Sequence, residues 1–247
     1  MESLENAIEV RHLRKAFGTL KAVDGIEFEL KQGEFLTVFG PNGAGKTTLI
    51  KILSGLTQPS SGTAKVAGFD VAEGHPEMRK EIGVISHSTA LYADLTPLEN
   101  LMFFARMHGL EQPEDKALKV IGEVGLSPRR NDRVRTFSRG MLQRLSIARA
   151  ILHDPAILFL DEPFTGLDLH AANVLKEHLQ RLHDSSRTIL MTTHDISCGL
   201  EMCDKVALQV QGKFAFLENI SDVDKDRFES MYFDAVRDNQ FAMGISL

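Results

Sequence analysis

Four groups of residues in this chain have types and spacings suited to chemistry on phosphate. The first is the run Gly40-Pro41-Asn42-Gly43-Ala44-Gly45-Lys46-Thr47-Thr48, which follows a strand-like stretch from Phe35 to Phe39 and precedes a helix-like stretch that Gly55 can close. Glycines at 40, 43 and 45 let backbone amides curl inward around an anion at a helix N-terminus. Lys46 supplies a mobile cation for terminal phosphates, and the Thr47 hydroxyl supplies a ligand for Mg²⁺. At average residue usage this pattern arises by chance in roughly one chain in a hundred of this length, and its strand and helix flanks make accident rarer. The second group is Asp161 and Glu162, at the end of the apolar run Ile157 to Leu160. Beside a phosphate loop, Asp161 is placed to hold Mg²⁺ and Glu162 to take a proton from an attacking water. The third is His194, the first residue after the apolar run 188–193. The fourth is His87, where the apolar stretch "IGVIS" stops. A lone histidine at a strand end is ordinarily structural, so these two draw any functional reading from the company they keep.

The elements that position these groups follow from periodicity. Between the carboxylates and His194, Leu175, Leu179 and Leu182 recur at helical spacing, so the order there is strand, helix, strand. Continuous apolar strands joined by crossover helices build a parallel sheet, whose ligands sit at the carboxyl ends of the strands. Asp161, Glu162, His87 and His194 are all expected at that edge. A helix start is written in "TPLE", with Thr96 as N-cap, Pro97 in the first turn and Glu99 completing a capping box. Ser138 is placed to cap another helix, "LQRLSIARAIL".

With 247 residues, 43% hydrophobic and 25% charged, the chain has a globular composition. A formal net charge of -6 argues against a general electrostatic hold on nucleic acid, and none is expected as a partner. No apolar run approaches the length of a spanning helix, and the acidic N-terminus is unlike a signal peptide, so a cytosolic chain is expected. Cys198 and Cys203 fit no metal or redox spacing and are expected as reduced thiols.

Taken together, the phosphate loop at 40–48, "FSRGMLQR" at 137–144, the carboxylates, "TGLD" at 165–168 and His194 stand in an order that resembles the ATP-binding subunits of ABC transporters. The resemblance covers the chain to about residue 217 and implies an α/β P-loop NTPase. Its RecA-like parallel sheet core would carry an N-terminal antiparallel β subdomain and an α-helical subdomain inserted at about 88–150. Residues 218–247 are expected to form a short appendage. The resemblance implies ATP and Mg²⁺ as cofactors, Phe17 at the adenine-stacking position and Val23 among the nucleotide contacts. It also implies that Ser138, Arg139 and Gly140 of one subunit close over ATP held by another, with Asp168 along the seam of a homodimer or heterodimer. Where Arg139 and Met141 stand, the family usually shows glycine and glutamine.

His87 stands where the family usually has glutamine, in the loop joining the core to the helical subdomain. That position implies a role in sensing Mg²⁺ and the attacking water. Phe103, Phe104 and Met107, with Leu91 and Tyr92 nearby, either pack the helical subdomain or, as the resemblance implies, meet an integral-membrane permease at the cytoplasmic face of the membrane. The stretches "SHSTALYADLTPLENL" and "FSRGM" look like the branch of bacterial drug, polysaccharide and haem-type exporters. A non-transport ABC-type ATPase of translation, DNA repair or cluster assembly is the alternative. A kinase or GTPase shares the loop but leaves Ser138 to Arg144 and His194 unexplained.

Overall fold

The computed structural model describes residues 6–86, 89–184 and 186–242. His87, expected to sense the reaction, lies outside the described residues.

Two long strands open the chain, β1 (Asn6–Phe17) and β2 (Leu20–Lys31), joined by the two-residue turn Gly18-Thr19. In the second half of β2 apolar and polar residues alternate, so Ile26, Phe28 and Leu30 are buried while Glu27, Glu29 and Lys31 face water. With β4 (Ser61–Val66) and β5 (Phe69–Asp70) they form an antiparallel sheet in the order β2-β1-β4-β5.

The second sheet contains β3 (Phe35–Phe39), β6 (Ile82–Ile85), β7 (Ile157–Asp161), β8 (Thr188–Thr193), β9 (Lys205–Val210) and β10 (Lys213–Asn219), in the order β10-β9-β3-β8-β7-β6. All neighbours run parallel except β9 and β10, which form a hairpin. The inner strands β3, β7, β8 and β9 are mostly apolar and almost wholly buried, as expected where both faces are covered. Leu36, Val38, Phe159 and Leu190 point into one cluster, shared with Ile8 and Leu30 of the antiparallel sheet and Leu49 of α1 (Lys46–Leu53). Phe35, Phe39, Leu158, Leu160 and Met191 point the other way, against the later helices. Removing a side chain such as Phe159, which is fully buried, costs about 3–5 kcal/mol by the usual large-to-small penalty.

A one-turn helix, α2 (Met78–Glu81), leads into β6. Three helices follow before β7: α3 (Pro97–Met107), α4 (Pro113–Glu123) and α5 (Arg139–Ile151). The capping box read from "TPLE" is present, with Glu99 N donating to the Thr96 hydroxyl and Thr96 N to the Glu99 carboxylate. β6 is an edge strand whose outward carbonyls are taken by side chains in place of a further strand. Arg149 donates to Val84 O at 2.9 Å, and the His153 imidazole to Ile82 O at 3.0 Å. His108, just past α3, stacks on His153 with ring centroids 4.1 Å apart.

Between β7 and β8 runs α6 (Leu169–Asp184), which buries Leu175, Leu179 and Leu182, and α7 (Ile196–Leu200) follows β8. The boundary expected at residue 217 lies inside β10. Beyond it, α8 (Lys225–Ala242) sends Phe228 and Tyr232 into the same cluster as Phe39. The Phe228 and Phe39 rings meet edge to face at 5.2 Å. Both cysteines are free thiols, and burial pushes Cys203 up to about 11.

Candidate active site

The strand order places the ends of β3, β8 and β7 side by side, and the chemistry-bearing residues stand at those ends. β3 delivers Phe39 to the phosphate loop, β7 ends on Asp161, and β8 ends one residue before His194. The register pairs Phe39 with Thr193 and Asp161 with Thr192, which fixes the three strand ends at one level.

The loop from Gly40 wraps over the N-terminus of α1, with Gly45 at the N-cap in the left-handed region at φ 101°. A Cβ on Gly45 would lie 1.9 Å from Ala22 O, and one on Gly40 would lie 2.2 Å from Gln209 O. Close backbone approach therefore demands glycine at both ends of the loop. The concave face carries the open amides of the helix start, a ready anion site. Lys46, 6% exposed, donates to Gly40 O at 2.6 Å and to Pro41 O at 3.2 Å. It also pairs with Glu162 Oε1 at 3.3 Å. Glu162 Oε2 in turn meets His194 Nδ1 at 2.7 Å, so a single carboxylate bridges the loop lysine and the strand-end histidine. Glu162 holds φ at 53°, a left-handed conformation that costs a non-glycine residue about 1–3 kcal/mol and is typical of functional positions.

One residue earlier, the buried Asp161 accepts from the Thr47 hydroxyl at 3.0 Å and from the Thr192 hydroxyl at 2.8 Å, both on Oδ1. A hydroxyl and a carboxylate already in contact beside the phosphate cradle make a donor set of oxygens, which suits Mg²⁺. The cleft over the loop encloses about 390 Å³. Pro41, Asn42, Gly43, Ala44, Thr48 and Glu162 line it along with Gly45, Lys46 and Thr47, and its far rim carries Phe17 and Leu20. Phe17 is 54% exposed and lines the cleft, with Lys15 Nζ over its ring, 5.0 Å from the centroid.

Val23, expected among the nucleotide contacts, does not line this cleft. Ala22 lines it, and Val23 is buried in the cluster between the two sheets, because neighbouring residues of a strand face opposite ways. Thr192 and Tyr232 stand in no motif that the sequence displays. Tyr232 donates to His194 O at 3.3 Å, and burial first, then the Glu162 and Asp195 charges, push its phenol up.

Ser138, Arg139, Gly140 and Asp168 meet in a second, separate cleft of about 210 Å³ at the start of α5, which shares no lining residue with the first. Ser138 caps α5 as expected, its hydroxyl accepting from Met141 N at 3.3 Å. Asp168 accepts from Ala171 N at 2.8 Å and so caps α6. The Arg139 guanidinium lies over Gly166, where a Cβ would come within 2.2 Å of Nη1. Tyr92, in the loop before α3, and Phe103 and Phe104 on α3 form a chain of ring contacts at 5.2 and 5.4 Å. Tyr92 is 49% and Met107 68% exposed. The buried Asn100 clamps both backbone groups of Tyr92.

Comparison with known proteins agrees with this geometry. The family described as "ABC transporter" matches residues 23–165. A linearmycin resistance ATP-binding protein of Bacillus subtilis is 36% identical over 218 residues, covering 87% of this chain and 70% of that protein. Nod factor export ATP-binding protein I of Cupriavidus metallidurans is 36% identical over 208 residues, with 83% and 69% covered. A solved ATP-binding subunit of an ABC transporter superposes with a TM-score of 0.82 at 27% identity, covering 93% of this chain and 99% of that one. A P-loop ATPase core with its phosphate loop, carboxylate pair and strand-end histidine in register, matched over most of its length by such relatives, places this chain in the ABC transporter family as an ATP-binding and ATP-hydrolysing cassette.

Proposed function

We propose that the chain is the motor of an exporter, spending ATP to drive a separate membrane-embedded permease from the cytoplasmic face. The observation that carries the chemistry is the chain Lys46–Glu162–His194 set beside the Thr47–Asp161 contact. In this arrangement the Glu162 carboxylate is tied to Lys46 and cannot turn fully to a water. Triphosphate at the α1 N-terminus attracts Lys46 away from the carbonyls of Gly40 and Pro41, which frees Glu162 to accept a proton from water. His194 holds the other carboxylate oxygen and fixes its direction. Thr47 and Asp161 would hold Mg²⁺, which when bound neutralises charge on the β- and γ-phosphates. Phe17 offers its ring to the adenine. His87 is assigned to sensing the γ-phosphate end of this site.

The second cleft points to the arrangement of subunits. Ser138, Arg139 and Gly140 stand at a helix N-terminus suited to phosphate but outside the chain's own cradle. Head-to-tail pairing of two copies, or of this chain with a similar one, puts each such cleft over the other's ATP, with Asp168 at the seam. The helical region from about 88 to 150 carries the exposed apolar surface of Tyr92, Phe103 and Met107 to the permease. Among the described residues no helix is long and apolar enough to cross a membrane, in keeping with a separate permease. Export as the direction is supported by the resistance and export proteins among the relatives.

The test is to look for a neighbouring reading frame with several apolar spans and to co-express its product with this chain. A detergent-stable complex with an ATPase rate above that of the chain alone is expected, and Phe103→Ala should lower the stimulated rate more than the basal one. A chain that stays off membranes, with one rate whether or not the membrane protein is present, favours the non-transport reading.

A further inference from the structure

β9 is apolar in its middle except for Gln209, and Gln209 is fully buried. Neither its Nε2 nor its Oε1 has a hydrogen-bond partner among the described residues. A buried carboxamide left unpaired costs stability, and such groups are rare enough to ask for a cause. Its surroundings supply one. The Gln209 main-chain oxygen lies 2.2 Å from where a Cβ on Gly40 would stand, and its Nε2 lies 2.8 Å from where a Cβ on Gly45 would stand. One residue of β9 therefore abuts both ends of the phosphate loop. The hairpin after it is tied to the same loop by Gly212 N donating to Ala44 O at 3.0 Å, and to β2 by Asp24 N donating to Gly212 O at 2.8 Å.

We propose that Gln209 is a positioning residue for the nucleotide-loaded phosphate loop, its carboxamide held in reserve for backbone groups that turn toward it when ATP binds. The proposal rests on the reading of 40–48 as the ATP cradle. In this structure Lys46 caps the carbonyls of Gly40 and Pro41. A lysine drawn to phosphate vacates both carbonyls, and the loop must re-satisfy its backbone from below. A carboxamide carries both a donor and an acceptor, so it can meet either edge of a rotating peptide. An apolar side chain of the same size would fill the space and meet neither.

This predicts effects of opposite sign in one variant. Gln209→Met keeps the volume and removes the unpaired amide, so the nucleotide-free Tm should hold or rise. Its ATP affinity should fall about fivefold, the worth of one buried hydrogen bond, and the Tm gain given by saturating ATP should shrink. Gln209→Leu should behave alike and guards against a packing fault peculiar to methionine. A purely structural glutamine gives the reverse pattern, a lower nucleotide-free Tm with wild-type ATP affinity in a fluorescent-nucleotide titration, and that result overturns the proposal. So does a Tm that falls in step with affinity in both variants. Lys46→Ala in the same titration separates the failures. If it loses ATP and Gln209→Met does not, the role of Gln209 alone is refuted; if Lys46→Ala keeps ATP, the cradle reading falls and this inference with it.

Discussion

In the cleft over the parallel sheet the polar groups answer one another within the chain: Lys46 to Glu162, Glu162 to His194, Thr47 to Asp161. In the cleft at the start of α5 each polar group serves its own helix or loop instead, Ser138 capping α5, Asp168 capping α6 and Arg139 lying over Gly166. Nothing in that second cleft addresses the first, and yet it offers a helix N-terminus open to an anion. The difference teaches that one cleft gathers the phosphate loop and the groups proposed to activate water, while the other is a separate surface that makes sense against another molecule's phosphate. The proposed head-to-tail pair is the arrangement that uses both.

The strongest way to break this comparison is at Glu162. If its carboxylate is the base, Glu162→Gln should slow hydrolysis by at least about 10²-fold while ATP still binds, because the cradle of Gly40 to Thr47 is untouched. Under ATP and Mg²⁺ the variant should accumulate as a dimer in light scattering. Wild-type turnover would remove Glu162 from the chemistry, and a persistent monomer at high concentration would weaken the pairing.

Gly140→Asp attacks the other cleft. A Cβ at 140 would stand 2.9 Å from the Ala171 Cβ, so any side chain there presses on α6, and an aspartate also brings a negative charge to the cleft. Hydrolysis should fall at least about tenfold, the factor that one misplaced charge of 1.4 kcal/mol produces, with ATP affinity of the monomer unchanged. Mixed with Lys46→Ala, it should recover part of the activity, since a hybrid dimer holds one intact pair of clefts. Equal loss of ATP binding by the isolated variant would mean that the two clefts are not independent.

Phe17→Ala tests the far rim of the first cleft. Base stacking on an aromatic ring is worth about 1–3 kcal/mol, so ATP affinity should drop roughly tenfold with little change in turnover at saturation. An unaltered titration curve would move the adenine elsewhere.

These predictions also mark what the sequence made legible. The phosphate loop is local, with spacing set by consecutive covalent bonds, so Gly40 to Thr48 could be read directly. Asp161, Glu162 and His194 were legible because each ends an apolar run and parallel strands align their ends. What was hidden depends on distant partners. That Thr192 shares the Asp161 oxygen follows from the β7–β8 register. That Ala22 and not Val23 faces the cleft follows from the phase of one strand. That α8 packs Phe228 on Phe39 is a contact across nearly the whole chain. The unpaired Gln209 left one trace, a polar residue within an apolar strand.

The last expected effect is on stability and not on turnover, at the seam where α3 and α5 meet the edge of the sheet, between the aromatic surface and β6. A carbonyl can only accept, so His153 Nε2 carries the proton donated to Ile82 O, and Nδ1 is a buried, unpaired acceptor. Its pKa falls from the ordinary 6.5 to about 4. Burial is the main cause, the His108 ring is the next, and Arg149 adds to them, while the Ile82 bond and Asp154 oppose. His108 is lowered too, by burial and by Arg149. The unfolded chain therefore binds a proton that the folded chain refuses between pH 6.5 and 4. Stability from this site is complete above pH 6.5 and is lost as the pH falls toward 4. Discounted for partial exposure, the loss amounts to about 2 kcal/mol. His153→Gln can still donate to Ile82 O but does not titrate, so denaturant midpoints measured from pH 7 to 4.5 should fall less steeply than in wild type. Identical slopes would show that the acid sensitivity of the fold resides elsewhere, and that this seam holds α3 to β6 independently of pH.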